Sequence, residues 1–177
     1  MESKVYLKRM ASIVVLATGL LLFLAYESFA EGTLLASLIT DREGNVPQGY
    51  QHAGDMRVYI DGRIEIYGSR DSLSFYVPLA VRKTFSADPA WHWSKLDAVM
   101  LSSLRKKIQA TNFEQLDIDS NASRPSNVDA TDTVAEFHKG SGKISIRLWE
   151  VKNMELLNGA LDLMHECRKA AFALPTK

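Results

Sequence analysis

MRVYIDGRIEIYG, Met56 to Gly68, is the stretch that decides the fold. Val58 and Ile60 alternate with Arg57, Tyr59 and Asp61, and Ile64 and Ile66 alternate with Arg63, Glu65 and Tyr67. A period of two is the pattern of a strand with one face against a core. It predicts an antiparallel pair with Val58, Ile60, Ile64 and Ile66 turned inward. Asp61-Gly62 between them reads as a two-residue turn whose central positions both take positive φ. Leu73 to Val81 reads as a third strand. Pro78 has no N–H to give a ladder, so this strand is expected at an edge or to end early.

Downstream the period lengthens. Leu96, Met100, Leu104 and Ile108 recur every four residues with Val99 and Leu101 beside them, which predicts a helix over 94–110. Ser94 is its expected cap, with Asp97 three residues on. Arg105-Lys106-Lys107 suits the negative end of the helix dipole, and Asn112 reads as the stop, with Phe113 and Leu116 folding back on the stripe. Residues 117–132 are rich in Asp, Ser and Asn and read as a long loop. A second hairpin is predicted over 133–150, with Val134–His138 and Ile144–Trp149 flanking Lys139-Gly140-Ser141-Gly142, and Ile144, Ile146 and Leu148 on one face. A second helix is predicted over 154–173, capped by Asn153 and followed by Pro175. Leu157, Leu161 and Met164 form its stripe, widened by Leu156, Ala160 and Cys167.

Upstream, residues 31–54 read as an irregular lead-in on the surface. Leu34–Ile39 is a short strand or a helical turn at most, and turn chemistry follows at 41–45 and 47–49. Strands then a helix, twice, predict an α+β domain over 55–177. The expected architecture is one antiparallel sheet of about four to six strands with both helices packed on one face.

Residues 1–30 have the three parts of a secretory signal: Lys4, Lys8 and Arg9, then the uncharged apolar run Met10–Ala25, then Ser28-Phe29-Ala30. They predict an N-terminal signal helix removed after Ala30, leaving residues 31–177 in the periplasm or outside the cell. The run is shorter than the roughly 20 residues that span a bilayer, which favours cleavage. An uncleaved N-terminal anchor is the alternative. The chain has 21 Lys and Arg against 21 Asp and Glu, and stays near neutral without its first thirty residues. No global field draws in nucleic acid, and membrane contact is expected only if the signal is retained. One cysteine, Cys167, rules out a disulfide within one chain and reads as a small buried hydrophobe.

Candidate chemistry is sparse. Trp91, His92 and Trp93 form an aromatic cluster just before the first predicted helix. Exposed indoles stack on sugars, bases or a partner's surface, and buried ones close the end of a core. These three are the candidate partner surface, with Tyr50 and His52 as distant candidates. Asp117-x-Asp119-x-Asn121 places oxygens as a calcium loop does, but Ala122 and Val128 stand where that loop needs Gly and a bidentate Glu. The bland reading is a turn whose Asx side chains bond its own backbone. Asn121-Ala122-Ser123 is a glycosylation sequon, relevant only in a eukaryote. His52, His92, His138 and His165 fall in no metal spacing, and His165 and Cys167 are two apart on a helix and face apart. No nucleotide or nucleophile-elbow motif occurs. No cofactor and no metal is expected.

The order of elements resembles small exported bacterial domains of unknown function with a hairpin–helix–hairpin–helix plan. The resemblance rests on Asp61-Gly62, Tyr67-Gly68, Asn112-Phe113 and Thr131-Asp132, over roughly residues 55–172. Ala87–Trp93 is inserted before the helix relative to that group. The resemblance implies the fold and the compartment, and no activity.

The leading expectation is a non-catalytic exported domain that binds a protein or a cell-envelope component. The alternatives are a small hydrolase with a spatially assembled site and a membrane-tethered subunit. Mass spectrometry of the exported protein is expected to find Glu31 at the N-terminus; Met1 retained in membranes would identify the tether instead.

Overall fold

The computed structural model describes residues 32–42, 50–122 and 131–173. The signal-like residues 1–30, the turn residues 43–49, Val128 and Asp129 of the polar loop, and Pro175 lie outside them. The elements are β1 (Leu34–Arg42), β2 (Met56–Tyr59), β3 (Arg63–Gly68), a short helix α1 (Leu79–Arg82), β4 (Ala90–Lys95), α2 (Ala98–Ala110), β5 (Thr131–Lys139), β6 (Gly142–Arg147) and α3 (Glu155–Ala171). The six strands form one sheet in the order β4-β3-β2-β1-β5-β6, antiparallel throughout. The domain is therefore α+β, as the alternation of strands and helices predicts.

Its core joins the inward residues Val58, Ile64, Ile66, Ala135, Phe137 and Ile146 to Leu104 and Ile108 of α2 and Leu157, Met164 and Cys167 of α3. The α2 stripe is narrower than predicted. Leu104 and Ile108 are buried, Met100 and Leu101 are half-buried, and Val99 is 76% exposed.

Several readings are corrected. The first concerns residues 31–54. The strand alternative for Leu34–Ile39 holds and extends to Arg42, but the segment is central in the sheet and not an irregular surface lead-in, paired with β2 on one side and β5 on the other. A strand covered on both faces loses its alternation, and Leu35, Ala36, Ser37 and Leu38 are all buried. That continuous run, LLASLI, hides the period of two.

The second concerns the turn of the first hairpin. Val58 pairs with Ile64, so the loop is Ile60-Asp61-Gly62. The Gly62 N–H donates to the Tyr59 carbonyl at 3.0 Å, and Gly62 alone in the loop takes positive φ, 88°. This is a three-residue loop ending in a glycine bulge. Asp61 keeps negative φ and accepts the Arg63 N–H at 2.9 Å.

The third concerns Leu73–Val81, which is not a strand. The Val77 N–H bonds back to the Leu73 carbonyl at 3.0 Å, and Pro78 stands at the cap of α1. A strand would put Leu73, Phe75 and Val77 on one face. Instead Leu73 and Val77 are buried and Phe75 points out, the spacing of a helical turn.

The fourth concerns Trp91–Lys95. The strand beside β3 is Ala90–Lys95, where a loop and a helix start were expected. The helix begins at Ala98 because Asp97 is the better cap: its Oδ1 accepts from the Val99 and Met100 N–H groups at 2.8 and 2.9 Å. Ser94 instead donates to the Ala171 carbonyl at 2.6 Å, fixing β4 to the end of α3. Asn153 likewise does not cap α3. It accepts from the Asp117 N–H and donates to the Gln115 carbonyl, holding the segment after α2. The second hairpin forms as predicted around Gly140-Ser141, but β6 ends at Arg147 and Leu148–Glu150 is a single 3-10 turn.

Gly68 closes β3 where the chain leaves the sheet. Its φ is 152°, and a Cβ there would lie 2.7 Å from Leu73 Cγ and 2.8 Å from Ser72 Oγ, both on buried side chains. Gly68→Ala is expected to cost about 2 kcal/mol or more in urea unfolding. Gly142→Ala, whose methyl would meet nothing closer than 3.5 Å, is expected to change stability by less than about 0.5 kcal/mol.

Candidate functional site

The register of β3 and β4 separates the three aromatic candidates. Ile64 and Ile66 face the helices, so Arg63, Glu65 and Tyr67 face the other way. Trp93 pairs with Glu65 and Trp91 with Tyr67, and cross-strand partners share a face. Trp91 and Trp93 therefore stand on the side of the sheet away from α2 and α3. His92 pairs with Ile66 and turns inward. Its ring stacks on Phe85 at 3.9 Å, and its Nε2 lies 2.9 Å from the Gly68 carbonyl oxygen. His92 thus belongs to the underside of the sheet, and the cluster is a pair of indoles.

Around that pair the outer face is already organised. The Trp91 ring lies 5.3 Å from Tyr67, and the Arg57 guanidinium carbon sits 4.1 Å above it. Tyr59 donates to Glu65 Oε2 at 2.7 Å, and Arg63 lies 4.0 Å over the Tyr59 ring and 3.7 Å from Glu65 Oε1. Burial, reinforced by the Glu65 carboxylate, raises the Tyr59 pKa and keeps its hydroxyl a donor. Stacked rings and guanidinium planes lose little further freedom when something docks on them. Trp93 completes the platform at its margin and is 69% exposed.

His52 is closer to this platform than its sequence position suggests. Its ring meets Tyr67 edge-on at 6.4 Å. Its Nδ1 lies 3.1 Å from the Thr40 carbonyl oxygen and 3.3 Å from Asp55 Oδ2. Asp55 is 2% exposed, and its Oδ1 accepts the Thr40 N–H at 2.7 Å. His52 is thus built into the junction of β1 and β2. Tyr50 sits partly exposed nearby in the chain. The members that sequence reasoning missed are Arg57, Tyr59, Glu65 and Tyr67. The alternation that sends Val58, Ile64 and Ile66 inward sends exactly the intervening residues outward, so the signal was present.

Among the remaining candidates, Asp119, Asp132 and Arg105 have structural partners. Asp119 Oδ2 lies 3.1 Å from Lys152 Nζ, and Oδ1 accepts the Asn121 N–H at 3.1 Å. The Lys152 ammonium holds the Asp119 carboxyl below the usual carboxylate range. Asp132 accepts the Trp149 Nε1–H at 3.0 Å. Among the described residues no group of three or more His, Cys, Asp or Glu could hold a metal ion. Arg105 donates to the Ile60 carbonyl, fastening α2 to the hairpin loop. His138 is half-buried on β5 opposite Lys143. Cys167 is fully buried, and burial first, then Asp97 and Glu166, pushes its thiol up to about 11. It stays protonated and is a poor nucleophile.

Comparison with protein-family models, with curated proteins and with solved structures finds no match to this chain.

His165, half-buried on α3, has a buried Nδ1 with no hydrogen-bond partner. Burial, and then the Arg168 cation, depress its pKa below the ordinary 6.5. A group held neutral in the folded state gives its full stability above the unfolded pKa and loses it as pH falls toward the depressed value. Urea unfolding of the wild type is expected to weaken between about pH 8 and about pH 5 more than that of His165→Gln.

Proposed function

We propose that the chain is a non-catalytic exported domain that binds a protein or cell-envelope partner through the face of β4, β3 and β2 that points away from α2 and α3. The observation that carries this reading is Trp93, a large aromatic side chain left 69% exposed beside a stacked platform of Trp91, Tyr67 and Arg57. Trp, Tyr and Arg are the residue types that dominate binding energy at protein interfaces. The platform is built from neighbouring strands of one sheet, which suits an extended partner surface.

The chemistry elsewhere supports a binding role over a catalytic one. The His52 and His92 rings each lie against a backbone carbonyl, and the Cys167 thiol is buried and protonated. The location outside the cytoplasm rests on Lys4 to Ala30 acting as a signal. No helix among the described residues is long and apolar enough to cross a membrane.

The test is Trp93→Ala compared with the wild type in capture from the native envelope fraction. Because Trp93 is exposed, the variant is expected to keep its stability within about 0.5 kcal/mol while losing at least about tenfold in capture. Unchanged capture by a folded Trp93→Ala protein would move the binding surface elsewhere.

A further inference from the structure

Between β3 and β4 the chain makes a closed excursion, residues 70–86. The Arg70 N–H donates to the Ser86 carbonyl at 2.9 Å, and the Arg82 guanidinium donates to the Arg70 carbonyl at 2.9 Å, so the neck is tied twice. Its inner side is firmly seated. Leu73 and Val77 are in the core, and Phe85 stacks on His92. The Tyr76 ring packs so closely on Gly54 that a Cβ there would lie 2.6 Å away, and Arg168 lies 4.7 Å over that ring.

Its outer side is the opposite. Phe75 is 93% exposed and Leu79 is 55% exposed. Ser74, Pro78, Ala80 and Thr84 around them are exposed as well and small. Ordinary surfaces carry scattered apolar residues. Here a phenyl ring stands almost wholly in water on a segment whose other aromatic residues, Tyr76 and Phe85, are packed down. Arg70, Arg82 and Lys83 flank this tip, against the single acid Asp71, which pairs with Arg70 at 3.8 Å. The whole chain is neutral, but this excursion is cationic.

We propose that the excursion docks on an anionic lipid surface, with Phe75 and Leu79 entering the headgroup–acyl boundary and Arg70, Arg82 and Lys83 lying at the level of the lipid phosphates. An apolar tip with a net cationic neck behind it matches the layered polarity of that boundary. A protein interface would need a broader aromatic centre than one ring among small residues. A second copy meeting tip to tip would bring the two sets of cations together. The surface is separate from the proposed partner face, because Phe85 anchors the excursion to His92, which points away from Trp91 and Trp93.

The test reads the tip itself, so that residues 1–30 of the full chain do not confuse it. Ser74→Cys carries an environment-sensitive dye; the native Cys167 is buried and does not compete. Ser145→Cys, on exposed β6, carries the same dye as a reference. Vesicles of phosphatidylglycerol with phosphatidylethanolamine are compared with vesicles of phosphatidylcholine. A blue shift is expected at position 74 with the anionic vesicles only, and none at position 145. Phe75→Ser with Leu79→Ser is expected to weaken the partitioning read at position 74 by at least about tenfold. Lys83→Glu, an exposed single change, is expected to weaken it severalfold and serves if the double variant unfolds. The proposal is overturned by no shift at position 74, by equal shifts with both vesicles, or by equal shifts at both positions. A shift that survives the substitutions, or one that grows with protein concentration without vesicles, overturns it too.

Discussion

The two-sided pairing of β1 holds the domain together. Ala36 and Leu38 meet Val58 and Met56 on one edge and Phe137 and Ala135 on the other. Without that strand the sheet falls into a three-stranded β4-β3-β2 piece and the β5-β6 hairpin, each with a bare edge and part of the core, and an isolated hairpin is marginal in water. With it, the inward residues of both pieces form one continuous apolar surface for the stripes of α2 and α3. Asp55 and His52 close the end of this seam, where the Thr40 N–H would otherwise point at a strand that has already ended. The Asp55 carboxyl accepts this backbone N–H, and a buried backbone donor left unmet would cost free energy at the junction.

The same sheet makes two chemically different surfaces from one short sequence. Along Trp91-His92-Trp93 the pleat alternates outer, inner, outer. The inner imidazole joins Phe85 and the neck of the excursion. The outer indoles join Arg57, Tyr59, Glu65 and Tyr67 in a layer held by cation–π and ring contacts. A single-residue slip of β4 against β3 would exchange them, burying two indoles and exposing one imidazole. The Ser94 bond to the Ala171 carbonyl opposes such a slip from the far end of the strand.

What the sequence makes legible is what depends on near neighbours. Val58, Ile64 and Ile66 lie inside because of alternation alone, and Leu104, Ile108, Leu157 and Met164 because of helical spacing. What it conceals depends on distant ones. Leu34–Arg42 is a strand through partners far along the chain, and its burial on both faces erases the pattern that would announce it. Ala90–Lys95 is a strand because β3 offers an edge; on its own the segment reads as the approach to a helix. Leu73 and Val77 mislead in the other direction, since apolar residues at odd positions suit a strand until Phe75 between them is found outside. The candidate surface is half legible: residue type marks the two indoles, and the alternation of β2 and β3 sends Arg57, Tyr59, Glu65 and Tyr67 to the same face without marking them as a platform.

The Thr40 and Thr133 hydroxyls meet at 3.3 Å although 93 positions separate them. Contacts of that range form late, because a long loop must close before they stabilise anything. A chain emerging from its amino end has β1 early and β5 only after most of the polypeptide has been made. The seam between β1 and β5 can therefore close only once residues 131–139 have been made.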